Sequence, residues 1–140
     1  MKRIFSFICI LAVLFSLAGC GAKKAKKDVF SLVNKNYDRI LEACINEDAD
    51  ALLDIKGVSE VKIVPGYVLV YCRGSGIAPS SQDYGFYYTE DNIPAAIDCN
   101  LDILTTSLAP KDSGFECTFD HNTFYTEPIK GNIYFYSNAY

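Results

Sequence analysis

Acidic side chains are the first candidates for chemistry in this chain of 140 residues. Glu47, Asp48, Asp50 and Asp54 stand close together, and carboxylate oxygens are the ligands that Ca²⁺ prefers. An EF-hand loop also needs a glycine at its sixth position and a glutamate at its twelfth, and this segment supplies neither. Helix capping and a solvated helix face account for the cluster better. We therefore predict no metal site and no cofactor.

Motifs for nucleophilic catalysis and phosphate binding are incomplete. The glycines of CRGSGIAPSS are followed by no GK[ST], and Ser75 stands in G-S-G rather than in a nucleophile elbow. The only histidine, His121, lies in DHN, which favours an exposed turn. We predict no catalytic residue among these. An enzyme would have to use carboxylates such as Asp83, Glu90 and Asp91, around a predicted strand.

The amino-terminal segment has the layout of a secretory signal peptide. MKR precedes an unbroken apolar run, IFSFICILAVLFSLA, of 15 residues. A permanent membrane span needs roughly 20 apolar residues, and a core helix would be periodic rather than uniform. The sequence predicts a cleaved signal, with an uncleaved membrane anchor as the alternative.

The cysteine at the end of this run has a specific parallel. LAGC, residues 17–20, resembles the lipobox of bacterial lipoproteins. The resemblance implies that residues 1–19 are removed and that Cys20 carries fatty acyl chains such as palmitate. Two or three such chains hold a protein stably on a bilayer, whereas one holds it marginally. The chain is thus expected to be a cell-envelope lipoprotein facing outside the cytoplasm, at the outer surface or in the periplasm.

The segment after the cysteine is rich in lysine. Residues 20–27 read CGAKKAKK and contain nothing larger than alanine that could be buried, so we predict a flexible tether, with its lysines near anionic lipids or merely solvated. Six of the 13 basic residues precede residue 28, which leaves seven against 17 acidic ones and a net charge of about −10 for residues 28–140. Nucleic-acid binders carry a basic patch, so nucleic acid is not an expected partner. A cationic partner is compatible with this charge.

The remaining cysteines are even in number. Four cysteines would be exported with the domain: Cys44, Cys72, Cys99 and Cys117. In an exported protein we expect them to form two disulfides, for which three pairings are possible. No C-x2-C pair is present and histidine is scarce, so the pattern does not indicate zinc. Four buried free thiols are the alternative.

Hydrophobic periodicity indicates two kinds of element. Apolar residues at helical spacing after Asp28 predict an amphipathic helix of about seventeen residues, and a short second helix is expected near Asp48. Alternation then predicts strands at residues 60–64, 67–73, 84–89, 114–120, 123–127 and 132–137. Residues 93–107 are ambiguous. The order of elements favours a single α+β domain, residues 28–140, with helices packed on an antiparallel meander sheet of about five to six strands.

Tyrosine is unusually frequent, with 10 residues. By alternation Tyr134 and Tyr136 should point away from the core, and with Tyr87 and Ser75 they form the candidate binding surface, since tyrosine gives large contact area at low entropic cost. Cross-strand packing of aromatic rings is the alternative. We therefore predict a non-catalytic module that binds an envelope protein, peptide or glycan, and keep a small envelope enzyme with a carboxylate-based site as the second hypothesis.

Overall fold

The computed structural model describes residues 21–75 and 81–140. Three helices come first: α1 covers residues 21–35, α2 covers Tyr37–Ile45 and α3 covers Ala49–Leu53. Nine strands follow: β1 (Glu60–Val64), β2 (Tyr67–Ser75), β3 (Gln82–Thr89), β4 (Ala96–Ile97), β5 (Ile103–Leu104), β6 (Ala109–Lys111), β7 (Gly114–Phe119), β8 (Asn122–Lys130) and β9 (Ile133–Ala139). None of the helices in these residues is long and apolar enough to cross a bilayer.

Seven of these strands form one antiparallel sheet. Their order is β1-β2-β3-β9-β8-β7-β6, and β4 pairs with β5 separately. The predicted combination of helices with an antiparallel sheet is confirmed. The sheet is larger than predicted because β6, a short exposed strand containing a proline, adds an edge that alternation does not reveal. It is also not a simple meander, because β9 lies between β3 and β8.

The helical region is divided where the sequence predicts one continuous helix. Asn36 separates α1 from α2, and its side-chain Nδ2 donates to the carbonyl oxygen of Leu32 at 2.8 Å. Such local side-chain hydrogen bonds compete with the helical pattern. Both segments nevertheless bury apolar residues against the sheet: Val29 and Val33 from α1, Ile40, Ala43 and Cys44 from α2. Asp48 caps α3 by accepting from Ala51 N at 3.0 Å.

Residues 21–27 are helical, where the sequence predicts a flexible tether. Ala25 is fully buried, and the Lys26 ammonium forms an ion pair with the buried carboxylate of Glu127 on β8. Alanine and lysine are good helix formers. An ion-pair partner about a hundred residues away is invisible to local composition, so the tertiary contact overrides the local expectation.

Both faces of the sheet are covered. The helices cover one face, over Val68, Val70 and Phe86, and residues 96–104 cover the other, where Ala96 and Ile97 pack against the rings of the second face. The protein therefore has three layers rather than two. This arrangement corrects the prediction of an exposed tyrosine surface: the exposed fractions of Tyr87, Tyr134 and Tyr136 are 0%, 6% and 1%.

Candidate functional site

The predicted tyrosine surface is part of a hydrophobic core. The rings of Tyr87 and Tyr134 stack at 5.3 Å between centroids, and the Tyr87 hydroxyl lies 3.0 Å from the hydroxyl of Thr126. Tyr134 donates to the backbone oxygen of Asn92 at 3.0 Å. Ser75 is the last residue of β2, and its side chain lies outside the described part of the structure, as does the predicted lipidation site Cys20. These tyrosines stabilise the sheet and leave no aromatic stripe open to a partner.

The carboxylates proposed for an enzyme are not brought together. Asp83 lies near the start of β3, whereas Glu90 and Asp91 are exposed just beyond its other end. A strand rises about 3.3 Å per residue, so the two ends are roughly 20 Å apart. Asp83 lines a cavity.

That cavity, the acidic cleft, is a small opening on the sheet face opposite the helices. It has a volume of about 80 Å³. Its lining comes from β1, β2, β3, β9 and the turn between β4 and β5: Glu60, Tyr71, Asp83, Asp98, Cys99, Leu101, Tyr136 and Asn138. Three carboxylates that are far apart in the sequence therefore meet at one site.

Strand register explains how the cleft forms. Glu60 pairs with Tyr71 across β1 and β2, and Gly85 lies between Tyr71 and Tyr136 on the neighbouring strands. A Cβ at Gly85 would collide with the carbonyl oxygen of Val70 and would lie 2.7 Å from the Tyr136 ring. Only glycine lets the Tyr136 ring lie across this strand.

The turn that closes the cleft is held by its own hydrogen bonds. Asp98 Oδ1 accepts from the backbone N–H of Asn100 at 2.9 Å and of Asp102 at 2.8 Å. Lys62 on β1 binds the Asp102 carboxylate at 2.5 Å and the Asn100 carbonyl at 3.1 Å. These contacts fix the Asp98 side chain within the turn and hold the turn against β1.

Two buried polar groups in the cleft lack a hydrogen-bond partner among the described residues. Asn138 is fully buried and donates through Nδ2 to Ile97 O at 2.9 Å, which leaves its Oδ1 unpaired. The Tyr136 hydroxyl, on a side chain 1% exposed, is also unpaired. Buried polar atoms are nearly always hydrogen-bonded in folded proteins. Both of these unpaired groups belong to residues that line the acidic cleft.

The electrostatics of the cleft are dominated by burial and by negative charge. Burial, and then neighbouring groups that include Asp83, raises the pKa of the Tyr136 hydroxyl. Burial and the Asp83 carboxylate likewise raise the pKa of Tyr71. Burial and then the Asp83 carboxylate also raise the pKa of Tyr140. The buried Tyr140 hydroxyl has no hydrogen-bond partner among the described residues. The phenols remain neutral, so the charge of the cleft comes from its carboxylates.

No disulfide joins the four cysteines of the described region in this structure. Cys44 and Cys72 belong to the core under the helices, and burial raises the pKa of each to about 12. Burial followed by the charge of Glu116 raises the pKa of Cys117, while Cys99 is exposed at the cleft. Disulfide formation stays a prediction. Within residues 21–75 and 81–140, no three His, Cys, Asp or Glu side chains are arranged to hold one metal ion.

His121 lies where the sequence predicts it, in the tight turn between β7 and β8. It is exposed, and its φ is 68°. Asp120 before it also has a positive φ, of 44°. This left-handed backbone suits Asp and accounts for the DHN sequence. His121 does not line the acidic cleft or the second cavity described below.

A second cavity, the helix groove, lies between α1, the turn at residues 56–57 and β2. It has a volume of about 530 Å³. Asp28 and Arg73 form an ion pair at 3.2 Å at its edge. The lining combines apolar with charged side chains and is basic in balance, with three basic residues against one acidic residue: Asp28, Val29, Ser31, Leu32, Lys35, Asn36, Lys56, Gly57, Cys72 and Arg73.

Comparisons with known proteins do not assign either cavity. No protein-family profile, curated protein or solved structure matches this chain.

Proposed function

We propose that this protein is a membrane-anchored cell-envelope lipoprotein whose folded domain is a non-catalytic binding domain. Removal of residues 1–19 and acylation of Cys20 would fix the domain to the outside of the membrane. The LAGC motif after an apolar run supports this part of the proposal. The helical layer of α1 and α2 would then come directly after the lipid anchor in the sequence.

The helix groove is the observation that carries the binding role. Its volume of about 530 Å³ lies within the range of roughly 300–1,000 Å³ that is typical of ligand pockets. Val29 and Leu32 provide apolar contact, and Lys35, Lys56 and Arg73 provide positive charge. In a domain with a large excess of acidic residues, this local positive charge favours an anionic partner.

An acidic peptide segment of an envelope protein fits this groove best. A peptide carboxylate can pair with Lys35 or Lys56, or take the place of Asp28 beside Arg73, while an apolar side chain packs on Leu32. Arginine pairs with carboxylates in a bidentate geometry, which gives the interaction specificity. A glycan with acidic groups presents the same charge with less apolar contact.

In-cell photo-crosslinking tests the groove in the complete lipidated protein. A photoreactive residue at Ser31, inside the groove, should capture a partner that the same residue at exposed Glu42 on α2 does not. Capture should fall when Lys35 and Lys56 are both changed to glutamate. The matched control changes Lys24 and Lys111 to glutamate, which makes the same change in net charge at two exposed residues outside the groove lining. Identical adducts from both positions, or no response to the groove charges, would refute the binding role.

Metabolic labelling tests the anchor separately. Palmitate bearing an alkyne should label the wild-type chain and should not label Cys20→Ser, which should also keep residues 1–19. Label retained in Cys20→Ser would contradict the lipoprotein assignment without bearing on the groove.

An envelope enzyme with a carboxylate-based site is the second candidate. It would have to use the acidic cleft, because Asp83 lies there whereas Glu90 and Asp91 are solvated. Turnover of an envelope substrate that is lost in Asp83→Asn and kept in Asp91→Asn would favour this candidate.

A further inference from the structure

The acidic cleft contains more hydrogen-bond acceptors than donors, and its donors include the hydroxyl groups of Tyr71 and Tyr136. Glu60, Asp83 and Asp98 supply carboxylate oxygens, and Asn138 adds an unpaired buried Oδ1. The Asn138 amide cannot simply be reversed to donate into the cleft, because its Nδ2 is already bound to Ile97 O. A ligand for this site must therefore supply hydrogen-bond donors, and its charge should be positive.

Nearby basic side chains of the described region are engaged elsewhere. Lys62 pairs with Asp102 at 2.5 Å, and Arg73 pairs with Asp28 at 3.2 Å. Neither ion pair includes a carboxylate of the cleft. Three like charges around one partly enclosed cavity repel each other, and a bound cation would relieve that repulsion.

Size restricts the cation further. A volume of about 80 Å³ corresponds to only a few water molecules, at roughly 30 Å³ each in the liquid, and is far below that of a drug-sized pocket. The site can hold one small headgroup with a short alkyl stem. The apolar side chain of Leu101 and the Tyr136 ring are suited to contact such a stem.

We propose that the acidic cleft binds a primary alkylammonium group, from a free amine or from a lysine side chain. An ammonium group has three donors on one nitrogen, so one donor can pair with a carboxylate such as that of Asp83 and another with Asn138 Oδ1, while the third binds water. A metal ion would need its ligands to converge on one point, and the described acidic side chains do not do so. The cleft is separate from the helix groove, so this inference does not depend on the binding role proposed above.

Nuclear magnetic resonance of the full chain in detergent micelles provides the test. Propylammonium chloride should shift the signals of Tyr136 and of the Asn138 side-chain amide in a saturable way, with a dissociation constant on the order of millimolar. Neutral 1-propanol and anionic propionate, which have similar size, should leave these signals unchanged. A blocked lysine, N-acetyl-lysine methylamide, separates the two sources: tighter binding than propylammonium assigns the site to lysine side chains, and weaker binding assigns it to free amines.

Isosteric variants locate the binding. Asp83→Asn and Glu60→Gln should each weaken propylammonium binding, by at least about tenfold for Asp83, because a hydrogen bond to a charged group is lost. Glu42→Gln on α2 removes the same charge away from the cleft and should have no effect. Unchanged binding in both cleft variants, equal shifts with 1-propanol, or shifts caused by calcium chloride but not by propylammonium would each overturn the proposal. Unchanged backbone spectra of the variants show that they are folded.

Discussion

Replacing Lys26 with methionine tests whether the segment after Cys20 belongs to the folded domain. The Lys26 ammonium binds Glu127, which is only 4% exposed, and lies 5.5 to 5.9 Å from the ring centroids of Phe30, Tyr125 and Phe135. Methionine keeps the apolar stem and removes the charge. The substitution therefore isolates the ionic contact from the packing of the helix.

The loss in the free energy of unfolding that we expect for Lys26→Met lies between two limits. Removing one partner of a fully buried ion pair costs roughly 3–5 kcal/mol, and an exposed pair contributes about 0–1 kcal/mol. The Lys26 side chain is 41% exposed and that of Glu127 only 5%, and Glu127 keeps hydrogen bonds from Ser113 and Tyr125. We expect a loss of about 2 kcal/mol in the free energy of unfolding.

Urea unfolding of the full chain measures this loss. With an m-value of about 2 kcal/mol per molar, the midpoint should fall by about 1 M in Lys26→Met. Lys27→Met removes the same charge from the exposed neighbouring position and should change stability by less than about 0.5 kcal/mol. Equally small effects of the two substitutions would show that residues 21–27 are a tether, as the local sequence suggests.

The same pair makes the stability of the protein depend on pH. Burial alone raises the pKa of Glu127, but hydrogen bonds from Lys26, Ser113 and Tyr125 outweigh it and leave the pKa below its ordinary value of 4.5. A lowered carboxyl pKa stabilises the fold above the unfolded value, and this stability is lost as pH falls through the folded value. The difference between wild type and Lys26→Met should therefore be full near neutral pH and shrink below pH 4.5. A difference that stays constant down to low pH would contradict the role of Glu127.

Two further experiments, a pair of glycine substitutions and the labelling of cysteines, test the packing of the core. Gly85→Ala should destabilise the protein by about 3 kcal/mol or more in the urea assay, because its Cβ collides with neighbouring backbone, whereas Gly21→Ala, with nothing within 4 Å, should be tolerated. Iodoacetamide should label exposed Cys99 in the native protein and reach Cys44 and Cys72 only after unfolding, since burial raises their pKa to about 12. Mass spectrometry that finds Cys44 and Cys72 resistant to labelling even in denaturant without reductant would instead indicate a disulfide.

Alternation together with β-branched and aromatic residues predicts the strands well. Each of the six segments predicted as strands overlaps a strand of the structure, although Asp120 and Asn132 at their ends lie in turns. Alternation does not predict which face of the sheet is exposed to solvent. In β9 the helices cover Phe135 and residues 96–104 cover Tyr134 and Tyr136, so both faces are buried. Residues 93–107 have no clear period, and their role as a covering layer depends on the sheet beneath them.

The cleft is beyond sequence reasoning for a different physical reason. Its carboxylates Glu60, Asp83 and Asp98 come from separate segments, and each looks like an ordinary surface residue in its own local sequence. Their proximity depends on strand register and on the room left by Gly85. The one available signal was the glycine, since glycine within a strand often marks a close approach of other groups.

The position of β9 determines when the sheet can be completed during synthesis. Strands β1 to β3 form one antiparallel set and β6 to β8 another, and β9 pairs with both β3 and β8. Until residues 133–139 are available, each set leaves an unpaired edge, and the buried rings of Phe86 and Phe124 lack their neighbours on β9. Pairings between residues so distant in sequence form slowly. On the export route that we propose, such a delay would keep the sheet incomplete until residues 133–139 have crossed the membrane.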